Sequence, residues 1–364
     1  MNDIKQNLIG LDRQDIKKIL LDLKAPLFRA DQIFHWVYHQ GIDDFDKMGN
    51  LPKALQDALK EVLFIQRPHI QNAQASQDGT QKWLLRFQDN QEAETVHIPE
   101  KTRGTLCISS QIGCTLSCKF CHTGTQKLVR NLTAGEIVGQ LMRARDVFHE
   151  WPSPLFNRHI SNIVMMGMGE PLYNYEDVKK ALTIIMDPKG INLSKRAITL
   201  STSGVVPMIH QCGQELGVNL AISLHAVRNE LRDEIVPLNR KYPIEELLNA
   251  CRRYPGTTKH NRITFEYVML KGINDSPAEA RELVRLIKGI PAKINLIPFN
   301  YWPGAPYERS TDKAIENFAR ILVNAGYASP VRRPRGEDIL AACGQLKSLS
   351  ERVSKSRIIK AESA

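Results

Sequence analysis

Three cysteines, Cys114, Cys118 and Cys121, stand in the stretch GCTLSCKFCHTG with the spacing C-x3-C-x2-C. Thiolates packed this closely in one loop are soft ligands for zinc or for an iron–sulfur cluster. Such metals usually sit among four ligands, so a three-cysteine site has one position left to fill. A cluster would leave one iron open to a small chelating molecule. Zinc would take His122 or a distant cysteine as its fourth ligand, and three buried free thiols are the remaining reading. The tight spacing favours the cluster.

The chain has seven cysteines in all, an odd number, which does not suit the disulfide framework of a small secreted protein. A reducing cytosol would keep most of them as thiols. The N-terminal stretch MNDIKQNLIGLDRQDIKKILLDL has no apolar leader region, and no later run approaches the ~20 apolar residues of a membrane span. A cytoplasmic protein with no membrane partner is expected. The net charge of +10 over 364 residues points to a polyanion such as nucleic acid, because each neutralised phosphate releases counterions. Solvated lysines scattered on helix faces give the same total, so charge alone leaves that open.

The elements that must position the cysteines follow from periodicity. Residues 1–70 space their apolar side chains at three and four and read as a helical accessory domain. Residues 71–102 carry short alternating runs, QKWLLRFQ and AETVHIPE, and read as a hairpin-like connector. Over residues 103–345 six strand-then-helix units alternate, the pattern of an α/β fold: a partial (β/α)6 barrel. A doubly wound open sheet remains possible, although no G-x-G-x-x-G follows the first strand. Residues 346–364 form a basic C-terminal tail.

In such a barrel the chemistry sits at the C-terminal ends of the strands. Here those ends carry the cysteine loop, GMGEP with Gly169 and Glu170, STSG with Ser201, SLHA with Ser223 and His225, and PFN with Asn300. One site at one mouth is expected.

The C-x3-C-x2-C loop with Phe120 before its last cysteine resembles the signature of radical S-adenosylmethionine enzymes. The resemblance implies a [4Fe-4S] cluster on Cys114, Cys118 and Cys121, its open iron reserved for S-adenosylmethionine, which is cleaved to a 5′-deoxyadenosyl radical. It further implies cofactor contacts from Gly169, Glu170, Ser201, Ser223, His225 and Asn300. A wider set of segments, RGTLCISSQIGC, MGMGEPL, LSTSGVVP, NLAISLHA, NLIPFNYWPGAPY and RGEDILAACGQL, resembles the RlmN family of RNA adenine-C2 methyltransferases. The likeness runs from about Glu94 to Gln345.

That family's chemistry implies roles for two more cysteines. The C2 carbon of adenine has no useful nucleophilicity, so direct displacement on a sulfonium methyl fails. By resemblance, one S-adenosylmethionine methylates Cys343, and a radical from a second activates that methyl group for addition to the ring. Cys107 then releases the product by forming a disulfide with Cys343, and Glu94 matches the acid that accepts the ring proton. The implied substrates are an adenosine of 23S rRNA and one in some tRNAs, with an electron donor such as flavodoxin or ferredoxin, and a monomer is expected. The N-terminal helices, the stretch VRRPRG at residues 331–336 and the basic tail are candidates for RNA contact. A C8-directed relative of the same family shares every motif, and a non-catalytic metal-bearing RNA-binding protein is the alternative from another class. Cys212 and Cys251 lie in helical segments and are expected to be core residues.

Overall fold

The computed structural model describes residues 5–259 and 261–351. Near the N-terminus three helices, α1 (Arg13–Asp22), α2 (Arg29–Tyr38) and α3 (Lys53–Val62), bury one face each. Asp12 starts α1 because its carboxylate accepts the N–H groups of Gln14 and Asp15, while Asp15 returns a bond to the Asp12 N–H. Ile16, Leu20, Ile33, Phe34 and Val37 form the shared core of this part. It docks closely on the rest of the chain. A side chain on Gly10, which holds φ +104°, would place its Cβ 2.5 Å from the Gly135 backbone.

Nine strands form one sheet whose spatial order follows the sequence without reversal. They are β1 (His69–Ala75), β2 (Gln81–Arg86), β3 (Glu92–Pro99), β4 (Gly104–Cys107), β5 (Asn162–Met165), β6 (Ile198–Thr202), β7 (Asn219–Ser223), β8 (Ile263–Met269) and β9 (Ala292–Pro298). Strands β1 to β4 pair antiparallel, and β4 to β9 pair parallel. The six parallel strands are joined through helices α4 (Ala134–Val147), α5 (Tyr175–Met186), α6 (Val206–Glu215), α7 (Asn229–Ile235), α8 (Ile244–Arg252) and α9 (Pro277–Leu286), and α10 (Asp312–Asn324) follows the last of them. This is the expected partial (β/α)6 barrel. A doubly wound sheet would reverse its strand order at a switch point, which this sheet does not do.

The hairpin of residues 71–102 continues the barrel's own sheet, since β3 pairs with β4. A strand that sequence reading passed over, β1, forms the outer edge; its run HIQNAQA is mostly exposed and has no apolar alternation to reveal it.

After α10 the chain returns along β9, with Ile294 N–H donating to Ala328 O at 2.9 Å and Arg332 N–H to Leu296 O at 2.8 Å. It then crosses to the β1–β2 turn, where Gly336 N–H donates to Asp78 Oδ2 at 3.1 Å and Ser76 Oγ to Asp338 Oδ1 at 2.6 Å. From there it runs along the cysteine loop: His122 N–H donates to Gly344 O at 2.7 Å and Gln126 Nε2 to Ser348 Oγ at 3.0 Å. Residues 336–351 therefore form a strap across the barrel mouth. The first residues of the basic tail belong to this strap, and those from 352 onward lie outside the described residues.

Candidate active site

One cavity, about 1000 Å³ counting its open mouth, is lined by ten of the residues singled out in the sequence. Cys114, Cys118 and Cys121 contribute one wall, Gly169, Glu170, Ser201, Ser223, His225 and Asn300 the strand ends, and Cys343 reaches it from the strap. Cys107 and Glu94 are outside this lining.

The cysteine loop is framed by a short antiparallel pair, Gln111–Ile112 with Arg130–Asn131. Gly124 lets it fold tightly, because any side chain there would strike the Cys118 carbonyl. Burial pushes all three thiols up, Cys114 to about 12, and neighbouring cysteine charge adds to this for Cys114 and Cys118. Metal binding must therefore release protons from these thiols. Among the described residues no three His, Cys, Asp or Glu side chains are grouped as ligands of a single metal ion. Cluster thiolates bind separate irons, a wider arrangement, and three soft donors on one loop beside an open cavity fit such a group. His122 turns elsewhere: its ring stacks on Trp302 at 4.8 Å and its Nδ1 lies 3.2 Å from Gln345 O.

The strand ends are cross-braced. Glu170 is buried, its Oε1 accepting from Leu172 N–H at 3.1 Å and its Oε2 from Ser203 N–H at 2.8 Å. Burial raises its carboxyl to about 7 against these bonds. Gly169 holds φ +101°, and a Cβ there would lie 2.5 Å from that of Gln111. His225 Nδ1 accepts from Val268 N–H at 3.0 Å, which places the ring proton on Nε2. Burial, with Arg232 adding, lowers the imidazole to about 3 and keeps it neutral. Phe120 packs edge-on against it at 4.5 Å.

Arg232 is fully buried and escaped sequence reading. Its guanidinium donates to Ser203 O at 2.7 Å, Ser223 O at 3.1 Å, Leu224 O at 2.9 Å and Asn239 Oδ1 at 3.0 Å. It ties the ends of β6 and β7 together.

Cys343 is exposed to the cavity that it lines, and Asn300 Nδ2 donates to its backbone carbonyl at 3.1 Å. Cys107 lies buried behind it in β4. The two thiols are close enough for the charge of Cys343 to act on Cys107. Burial lifts Cys107 to about 12, with the charge of Cys343 adding and Met166 N–H and Arg332 opposing. Burial likewise lifts Cys343 to about 11, opposed by Arg332, with Glu266 adding. Arg332 thus faces both thiols rather than offering itself wholly to RNA; its Nη1 lies 3.5 Å from Glu266 Oε1. Arg335 of the same stretch is engaged by Asp78 at 3.5 Å, which leaves Arg333 as the exposed arginine of VRRPRG.

Glu266 lines the cavity and was also missed. Its signal was available: a lone acid within β8, whose seven residues are all buried. Its Oε1 accepts from Asn295 Nδ2 at 2.8 Å. Glu94 is buried on β3, with Oε1 2.9 Å from Lys82 Nζ and Oε2 accepting from Lys347 N–H at 2.8 Å. All seven cysteines are free, Cys212 and Cys251 buried in α6 and α8 as expected.

Comparison with known proteins agrees with this geometry. Residues 6–65 match the family described as ribosomal RNA large subunit methyltransferase N-terminal domain, and residues 108–284 match the radical SAM superfamily. The chain is 61% identical over 356 residues to the dual-specificity RNA methyltransferase RlmN of Rhodospirillum rubrum, covering 97% of this chain and 83% of that protein. It is 62% identical over 356 residues to the protein of the same name from Granulibacter bethesdensis, covering 97% and 90%. A solved structure of a radical SAM methyltransferase from Sphaerobacter thermophilus superposes with a TM-score of 0.85 at 44% identity, covering 94% of this chain and 99% of that one. Enzymes of this superfamily use a [4Fe-4S] cluster and S-adenosylmethionine, and the three-cysteine loop with its adjoining cavity suits both. A mixed α/β barrel, an N-terminal module and a cysteine loop opening on one cavity thus coincide with identity over nearly the whole chain: it belongs to the RlmN family of radical SAM RNA methyltransferases.

Proposed function

We propose that this protein methylates the C2 carbon of a specific adenosine in 23S rRNA and in some tRNAs, in the cytoplasm. The observation that carries the reading is that Cys343 lines the same cavity as the three-cysteine loop, with Cys107 close enough for the charge of Cys343 to act on it. A methyltransferase that acts by direct displacement needs no such pair.

Cys114, Cys118 and Cys121 would hold the cluster, and Gly169, Glu170, Ser201, Ser223, His225 and Asn300 would hold S-adenosylmethionine. When bound, these groups supply the methyl group and the radical that activates it. The chain's residues do the rest. Cys343 Sγ, as thiolate, takes the methyl group and carries it as a thioether. The barrel walls keep water from the activated carbon while adenine C2 is brought to it. Glu94 accepts the ring proton. Cys107 Sγ, as thiolate, then attacks Cys343 Sγ; the bond from that sulfur to the transferred carbon breaks, its electron pair going to the carbon, which takes up a proton and is left on the ring as the methyl group, while the two sulfurs are oxidised to a disulfide. An electron donor such as flavodoxin or ferredoxin would reduce the cluster.

Mass spectrometry of nucleosides from RNA treated with the reconstituted protein tests the reading. It should show 2-methyladenosine in rRNA and tRNA; 8-methyladenosine in its place would overturn the C2 assignment.

A further inference from the structure

Strands β2 and β3 pair with Leu84 opposite Glu94 and Lys82 opposite Val96. Lys82 and Glu94 are therefore diagonal neighbours on one face of the sheet. Lys82 Nζ lies 2.9 Å from Glu94 Oε1, and both side chains are more than nine-tenths buried, at 9% and 8% exposure. The same ammonium donates to Leu340 O at 3.3 Å, and the other oxygen of Glu94 accepts from Lys347 N–H at 2.8 Å. Leu340 and Lys347 flank Cys343 in the strap. One buried ion pair thus fastens the Cys343 segment on both sides. Apolar residues of similar volume often stabilise a fold as well as a buried ion pair does, so stability alone is a weak reason for this one.

We propose that Lys82 is a positioning residue for the methyl transfer: its ammonium holds Glu94 in the carboxylate form that accepts the ring proton, and braces the strap that presents Cys343. This rests on the reading of Glu94 as proton acceptor given above. The groups facing the Glu94 carboxyl are few. Lys82 faces it from β2 and the Lys347 N–H from the strap, while the Met168 thioether meets its backbone N–H at 3.4 Å. His122, on the cysteine loop, stands close enough to Lys82 and Lys347 for both charges to act on it.

The sign is set by two opposed effects. Burial raises the Glu94 carboxyl above its usual range, and Lys82 pulls it back. Without the ammonium the carboxyl rises further. A base works only when ionised, so the acid limb of the pH–rate profile moves to higher pH.

The experiment compares Lys82→Gln and Lys82→Met with the unaltered protein and Lys82→Arg, all cluster-reconstituted. It reads the pH dependence of single-turnover RNA methylation, the methylation of Cys343, and the yield of protein–RNA thioether. Support is an acid limb raised by about one pH unit in the uncharged variants, thioether accumulating below that limb, and both effects reversed in Lys82→Arg. An unmoved limb in Lys82→Gln, whatever its overall rate, overturns the proposal, because a merely structural lysine would lower the rate at every pH. If Lys82→Met does not fold, Lys82→Gln carries the test, since its amide keeps hydrogen bonding without charge. Glu94→Gln separates the two readings. Normal RNA methylation by Glu94→Gln overturns Glu94 as the base; an inactive Glu94→Gln beside an unmoved limb in Lys82→Gln overturns the role of Lys82 alone.

Discussion

At Cys343 two requirements meet in one side chain. Under the proposed function it must be open to the cavity to take a methyl group, and it must lie near Cys107 to be released. Cys343 lines the cavity, and Cys107 in β4 is close enough for the charge of Cys343 to act on it. We expect Cys107→Ala to leave protein covalently attached to RNA, visible as a slowed band on a denaturing gel. Cys343→Ala should give neither adduct nor methylated RNA. Free release of product by the Cys107 variant would assign resolution to another group. Arg232 makes a different kind of contribution. Replacing it with Met leaves buried carbonyl oxygens of β6 and β7 without donors, which should cost about 2–4 kcal/mol in chemical denaturation.

Among the elements, the strap is one that local sequence could not announce. Its residues have no helical or strand period, because they are held by side chains from the β1–β2 turn, β2, β3 and the cysteine loop rather than by a ladder of their own. Asp78 anchors its start. Burial pushes that carboxyl up, but hydrogen bonds from Thr80 and Gly336 outweigh it and leave it at about 2, below the ordinary 3.8. A depressed carboxylate contributes its stability above the unfolded value and loses it as pH falls through the folded one. Backbone protection of residues 336–340 in hydrogen exchange should therefore fade as pH drops from about 4 toward 2. In Asp78→Asn it should be weak already at neutral pH, by under about 1 kcal/mol because the site is mostly exposed. Equal protection in both proteins would show that Ser76 and Asp338 suffice. The long helices and buried strands were legible from periodicity, whereas α7, seven residues of mostly polar sequence, and the exposed strand β1 were not.

For the molecule as a whole, the N-terminal module and the barrel are fitted to each other. Arg13 Nε lies 2.9 Å from Asp187, Lys180 Nζ 2.6 Å from Asp15, and Gly10 meets Gly135 backbone to backbone. Among the described residues no helix is long and apolar enough to cross a membrane. The net charge of +10 has a consequence for RNA binding. Affinity for tRNA should fall at least about tenfold between 50 and 200 mM KCl, with a linear log–log slope. A flat slope would argue that shape and base contacts, rather than phosphate neutralisation, hold the substrate.

By itself the sequence determined the cysteine loop, the alternation of strands and helices, and the residues brought to the strand ends. These are local properties: ligand spacing, side-chain period and position along an element are written in consecutive residues. Only the tertiary structure decided that Cys107, Cys343 and Arg332 lie close enough for their charges to act on one another, and that Lys82 and Glu94 clasp the strap on either side of Cys343. Each of those contacts joins segments far apart in the chain. Their proximity depends on the order of strands in the sheet and on the path by which the C-terminal segment returns across it, neither of which any local pattern encodes.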